Sequence, residues 1–202
     1  MALILARHTR PAVEGLCYGR TDPPLAPEFG AEAEALLAAL GAVGRIVSSP
    51  LGRCRRLADV LGARLGVPVT EDADWREMDF GTWEGRRWEA VPRAELDAWA
   101  ADFMDARPHG GESVAMLLAR TRRAIAAAAT GGPVLVVTHA GPIRAALFAG
   151  GEGPGAWRRV VPFGGLVEID VRAHAGAHSA HLDQVVSIAE DSSRRLPPLN
   201  EG

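Results

Sequence analysis

Gly131-Gly132-Pro133-Val134-Leu135-Val136-Val137-Thr138-His139-Ala140-Gly141-Pro142 is the stretch that decides the fold. The two glycines and the proline end any helix before them. Four apolar residues then follow without polar alternation. That predicts a strand buried on both faces, as in a sheet clad by helices on each side. The strand runs into Thr138-His139, and Ala140–Phe148 reads as a helix. The same pattern opens the chain, where Leu3-Ile4-Leu5-Ala6 stops at Arg7-His8. Ligands of open α/β sheets bind outside the carboxyl ends of the strands. If these two strands are parallel, both imidazoles land on one rim and face one ligand. A single histidine after a strand is more often structural. Two of them, each with an arginine nearby in Arg7 and Arg144, weaken that reading.

Strands and helices alternate through the rest of the chain. Residues 10–28 are rich in Gly and Pro and read as a long loop. Ala33, Leu36, Leu37 and Leu40 share one face of a helix over Phe29–Leu40. Arg45-Ile46-Val47 is a strand ended by Ser48-Ser49-Pro50, with Ser49 expected to cap the next helix and Pro50 to sit in its first turn. That helix carries Leu51, Cys54, Leu57, Leu61 and Leu65 as one buried stripe, and Gly66 ends it. Val67–Val69 is a further strand candidate. Residues 71–111 hold Trp75, Trp83, Trp88 and Trp99 with a helix near 92–103, and Glu112–Ala129 is a helix with Val114, Leu117, Leu118 and Ile125 on one face. Leu166–Val171 reads as a late strand. The expectation is one domain over 1–202, a three-layer α/β/α sandwich on a mostly parallel sheet, with a loose tail from about residue 186.

The chain carries 22 basic residues, all arginine, against 25 acidic ones, a formal charge of −3. No basic excess exists to coat a nucleic acid, so any anion must be met by locally placed arginines. The absence of lysine removes Schiff-base chemistry and a P-loop lysine, and fits a GC-rich coding bias in a chain with 23 Gly and 14 Pro. Cys17 and Cys54 make no disulfide framework and read as reduced thiols. No apolar run approaches the roughly 20 residues of a membrane span. Together these features predict a cytoplasmic protein without nucleic-acid or membrane partners, either monomer or homodimer.

Arg53 lies in the first turn of the helix after Ser49-Pro50, where free N–H groups and the helix dipole already favour an anion. Arginine there can grip a phosphate bidentately, although a solvated helix face, as for Arg55 and Arg56, is the plainer reading. Arg7-His8-Thr9 resembles the arginine-histidine-glycine signature of the histidine phosphatase superfamily, the phosphoglycerate mutase-like fold. Four further blocks are similar to that family's motifs and follow in its order: Ser49-Pro50-Leu51-Gly52-Arg53, Glu77-Met78-Asp79-Phe80-Gly81-Thr82-Trp83-Glu84-Gly85, Gly110-Gly111-Glu112-Ser113, and Val137-Thr138-His139-Ala140-Gly141-Pro142-Ile143-Arg144. The resemblance covers about residues 2–170. It implies a phosphomonoesterase that works through a phosphohistidine on His8 and needs no metal or other cofactor. Arg7, Arg53 and His139 would surround the phosphoryl oxygens. Glu77 would protonate the leaving oxygen and then activate water, though Asp79 or Glu84 could be the acid.

The sequence departs from the family pattern at several positions. Thr9 stands where the histidine is usually followed by glycine, Arg10-Pro11 replaces glutamate-threonine, Glu14 replaces an asparagine and Leu57 a threonine. Thr9 is kept as a phosphate-contact candidate. The loop Cys17-Tyr18-Gly19-Arg20-Thr21-Asp22-Pro23-Pro24-Leu25 is similar to that of α-ribazole phosphatases, cobalamin-pathway members that remove a 5′-phosphate. In that reading Arg20 meets the phosphate or the nucleoside and Tyr18 stacks on a base. The alternative is a tight turn built on Gly19 and Asp22, with Arg20 in solvent. The chain length suits a phosphatase, since mutase members carry insertions that close over a bisphosphate cofactor. The competing functions are a phosphoglycerate mutase or broad sugar- or nucleotide-phosphate phosphatase, and a non-catalytic phospho-ligand binding module. In each case the partner is a small phosphorylated metabolite. The remaining features have plain readings. His174, His178 and His181 belong to a solvated stretch more than to a metal site, His109 caps a turn, and Trp83, Trp88 and Trp99 are core. The arginine pairs 86/87, 122/123, 158/159 and 194/195 are solvated faces.

Overall fold

The computed structural model describes residues 2–171. The tail from about 186, the His174/His178/His181 group and the 194/195 pair lie outside the described residues. Five strands form one sheet: β1 (Ala2–Arg7), β2 (Arg45–Ser48), β3 (Val69–Glu71), β4 (Val134–Thr138) and β5 (Leu166–Asp170). Their order is β3-β2-β4-β1-β5. The first four are parallel, and β5 closes the β1 edge antiparallel.

The unbroken apolar runs reflect burial on both faces. Leu135 and Val137 of β4, Ile46 of β2 and Ala6 of β1 pack with Ala33, Leu36, Cys54, Leu57 and Leu61. Those residues come from α1 (Phe29–Ala39) and α2 (Gly52–Leu65). Val134, Val136, Val47, Leu3 and Leu5 face the other way, onto Leu117, Ile125, Ile143 and Leu147. These belong to α4 (Val114–Ala128) and α5 (Ala140–Leu147). The same layer takes in α3 (Arg93–Ala101) and the buried indoles of Trp75, Trp83, Trp88, Trp99 and Trp157. The three-layer sandwich is therefore as the sequence predicts.

The layers explain where a site can form. The chain leaves β1 toward α1 on one face and leaves β4 into α5 on the other. Adjacent parallel strands whose connections diverge to opposite faces open a crevice at their carboxyl ends.

Element ends depart from the sequence reading at several points. The second helix begins at Gly52, with Leu51 at its cap position, so neither Ser49 nor Pro50 starts it. The carboxylate of Asp22 serves instead, accepting from Gly52 N at 2.5 Å. The third strand starts at Val69, not Val67. The fourth helix starts at Val114, capped by Ser113, whose Oγ accepts from Met116 N at 3.2 Å.

Candidate active site

His8 and His139 follow β1 and β4, whose register pairs Arg7 with Thr138. The ladder continues one step further, with His8 N donating to the Thr138 carbonyl at 2.9 Å. The two imidazoles therefore meet, with ring centroids 5.1 Å apart at 63°. The Nδ1 of His8 lies 2.7 Å from the Thr9 carbonyl. A carbonyl can only accept, so Nδ1 carries the proton and Nε2 keeps its lone pair. Burial, then Arg53 and Arg7, hold the His8 pKa well below the usual imidazole value. His139 is lowered in the same way, by burial first and then by Arg53 and His8. His139 Nε2 lies 2.8 Å from Ser49 Oγ and 3.4 Å from Cys54 Sγ. Ser49 Oγ also accepts from Leu51 N at 3.4 Å, so it meets the second histidine and the residue before the helix but none of the helix's own N–H groups.

Arg7 and Arg53 are each 1% exposed. Arg7 Nη1 donates to the Val161 carbonyl at 2.5 Å, and its guanidinium lies 3.7 Å from the Phe163 ring centroid. Burial lowers its pKa to about 10, and Tyr18 is a hydrogen-bond partner. Arg53 donates from Nη1 to the Thr21 carbonyl at 2.9 Å and to Asp22 Oδ1 at 3.0 Å, and from Nη2 to the Gly19 carbonyl at 2.8 Å. Its Nε is buried without an acceptor. A buried orphan donor costs about 1–3 kcal/mol, so this N–H is poised for an anion.

Glu77 is also 1% exposed. Its Oε1 accepts from its neighbour Met78 N at 2.8 Å and its Oε2 from Gly141 N, in the first turn of α5, at 3.1 Å. A Cβ on Gly141 would lie 2.1 Å from Glu77 Oε1, so glycine lets the carboxyl reach the helix start beside His139. Burial raises the Glu77 pKa against those two N–H groups and Arg53. The other two carboxylates of that motif are engaged differently. Asp79 Oδ1 accepts from Gly81 N at 2.8 Å. Glu84 accepts from the backbone N–H groups of Gly19, Arg20, Thr21 and Phe80. Burial pushes its pKa up, yet these N–H groups prevail and hold it below the usual range. A proton donor near neutral pH needs a raised pKa, which burial gives Glu77 and the surrounding N–H groups deny Glu84.

The backbone that carries Glu77 is clamped from α4. Arg120 forks onto Glu112 at 2.7 and 2.8 Å. Its remaining donors reach the carbonyls of Asp74, Arg76 and Glu77.

His8, His139, Arg7, Arg53 and Glu77 are thus brought together, each 2% exposed or less. Thr9 is close by, with a buried Oγ1 that has no partner. Arg20 is half-buried, and its charged neighbours are Arg76, Arg120, Glu112 and Asp79. Tyr18 is buried against Arg7 and 5.2 Å from the Arg53 guanidinium, not laid open as a stacking platform. Glu14 is exposed. Asp22, Tyr18, Phe163, Glu84 and Arg120 were not identified in these positions from sequence, because each meets its partner across a long chain separation. The one local signal is Gly141, two residues after His139.

The model of the histidine phosphatase superfamily (branch 1) matches residues 3–183. A Mycobacterium tuberculosis protein described as bifunctional is 38% identical over 154 residues, 70% of this chain. This chain spans only 42% of the length of that relative. A probable phosphoglycerate mutase, GpmB, of Salmonella choleraesuis is 30% identical over 155 residues, 69% of each chain. Among solved structures, a phosphoglycerate mutase from Thermus thermophilus superposes with a TM-score of 0.69 at 34% identity, over 84% of this chain and 93% of that one.

Proposed function

The chain belongs to the histidine phosphatase superfamily, and on that premise we propose that it hydrolyses a small phosphate monoester through a phosphohistidine on His8. The observation that carries this reading is the His8 imidazole. Its Nδ1 proton is held by the Thr9 carbonyl, and its neutral Nε2 sits among His139, Arg7 and Arg53. In the first step Nε2 attacks phosphorus, an N–P bond forms and the P–O bond to the leaving group breaks. The Glu77 carboxyl gives its proton to the departing oxygen. In the second step Glu77, now a carboxylate, takes a proton from water. The water oxygen attacks phosphorus, the N–P bond breaks, and inorganic phosphate leaves. Arg7, Arg53 and His139 meet the charge on the equatorial oxygens, in surroundings where each contact is stronger than in water.

On substrate, the relatives described as phosphoglycerate mutases support a small phosphorylated acid or sugar, handled by a mutase or a broad phosphatase. The α-ribazole 5′-phosphate reading rests on the loop Cys17–Leu25 alone, and the burial of Tyr18 against Arg7 works against base stacking there. A non-catalytic binding module would have no use for a buried carboxyl of raised pKa beside the histidines.

The test is an assay of purified protein on 3-phosphoglycerate with bisphosphate, α-ribazole phosphate and p-nitrophenyl phosphate. An acid-labile phosphoenzyme should appear in the wild type and vanish in His8→Ala together with turnover. Turnover that survives in His8→Ala sinks the mechanism. A higher kcat/KM on α-ribazole phosphate than on the other esters would reinstate the narrower substrate.

A further inference from the structure

Glu84 lies in the same motif as Glu77 but points at a different loop. Its Oε1 accepts from Gly19 N at 3.0 Å, Arg20 N at 2.8 Å and Phe80 N at 3.1 Å. Its Oε2 accepts from Gly19 N at 3.0 Å and Thr21 N at 2.9 Å. A carboxylate can take this many donors because it offers about four lone-pair sites. The loop lies flush on the motif: a Cβ on Gly19 would stand 1.7 Å from the Met78 carbonyl oxygen, so no other residue fits. With their N–H groups turned onto Glu84, the same residues direct their acceptors at Arg53. The Gly19 and Thr21 carbonyls and Asp22 Oδ1 receive three of the guanidinium's N–H bonds. A guanidinium has five N–H donors. Nε–H and the second Nη2 hydrogen remain, and these form the fork that meets two oxygens of a tetrahedral anion. Asp22 also accepts from Gly52 N and so ties the loop to the start of the helix that bears Arg53.

We propose that Glu84 is a positioning residue for phosphate recognition: its carboxylate gathers the Gly19–Thr21 backbone so that this loop and Asp22 hold the Arg53 guanidinium with its free fork toward the phosphoryl group. The inference rests on the reading above that Arg53 binds phosphate. Glu84 touches no substrate and acts through Arg53. It therefore governs affinity for the phosphate group and leaves proton transfer by Glu77 alone.

Four proteins test this: wild type, Glu84→Gln, Arg53→Ala and the double variant. The readouts are the Kd for inorganic phosphate by titration calorimetry, KM and kcat on p-nitrophenyl phosphate and on an alkyl phosphate, and a thermal melt. Glu84→Gln places an NH2 group among N–H donors. It should weaken phosphate binding and raise KM about tenfold, with the kcat ratio between the two esters unchanged. Arg53→Ala should weaken binding at least as much, and adding Glu84→Gln to it should change little, because both act through one guanidinium. Additive losses, or a folded Glu84→Gln with phosphate Kd within twofold of wild type, overturn the proposal. An Arg53→Ala variant that binds phosphate as well as wild type overturns the reading of Arg53 beneath it. Should Glu84→Gln melt below the assay temperature, Asp22→Asn interrupts the same chain of contacts at an exposed residue. It should also weaken phosphate binding about tenfold, and unchanged binding there refutes the relay.

Discussion

Glu77 and Glu84 show how one motif places two carboxylates in opposite surroundings. Glu77 is enclosed, and burial raises its pKa. Glu84 collects four backbone N–H groups and stays a carboxylate. Environments that push paired groups apart are what assign acid and base roles. The signs give a pH dependence. In the proposed mechanism phosphorylation of His8 needs Glu77 protonated, so kcat/KM should fall as pH rises through its raised value. It also needs His8 neutral, and a lowered pKa keeps Nε2 available far into the acid range. Glu77→Gln should therefore erase the alkaline limb on an alkyl phosphate and lower the rate about 10²–10⁴-fold. The loss should be smaller on p-nitrophenyl phosphate, whose leaving group needs no proton. A pH–rate profile on both esters checks this, and an alkaline limb that persists in Glu77→Gln removes Glu77 as the acid. The motif was enough to nominate Glu77 over Asp79 and Glu84. The physical distinction between Glu77 and Glu84 came from burial for the first and from N–H groups of a distant loop, Gly19 to Thr21, for the second.

At the scale of elements, the starts of two helices mark the limit of pattern reading. The fourth helix carries its own cap, Ser113, three residues before the N–H it accepts. Replacing that buried hydroxyl with alanine should cost about 1 kcal/mol of stability. A urea melt reads this as a lower midpoint at unchanged slope; an unchanged midpoint would mean that the cap contributes nothing. The second helix takes its cap from Asp22, thirty positions away in sequence. Ser49, the local candidate, lies against His139 and reaches only Leu51 N, the residue before the helix. Strand and helix identity were legible because apolar spacing is a property of neighbouring residues. The start of the second helix was not, because the group that satisfies its N–H donors arrives from another loop.

At the scale of the whole molecule, a chain of charge −3 has to recognise an anion by local means. The proposed mechanism gives that task to two arginines at 1% exposure, with their partners fixed around them. Buried charges are screened far less by salt than exposed ones. KM for a phosphate ester should therefore change less than about threefold between low salt and about 0.5 M salt. A steep logarithmic slope would instead place recognition on an exposed basic surface. The arginine pairs at 86/87, 122/123 and 158/159 are exposed, as their spacing suggests. The sequence by itself determined the three-layer architecture, the two strand-end histidines and the motif arginines, since each depends on residues close along the chain. Only the tertiary structure decided the tautomer of His8, the opposite surroundings of Glu77 and Glu84, the turning of Tyr18 onto Arg7 and the hold of Glu84 on the loop that bonds Arg53. Those outcomes depend on which backbone groups meet across long separations, and burial makes each unmet group expensive enough to settle the arrangement.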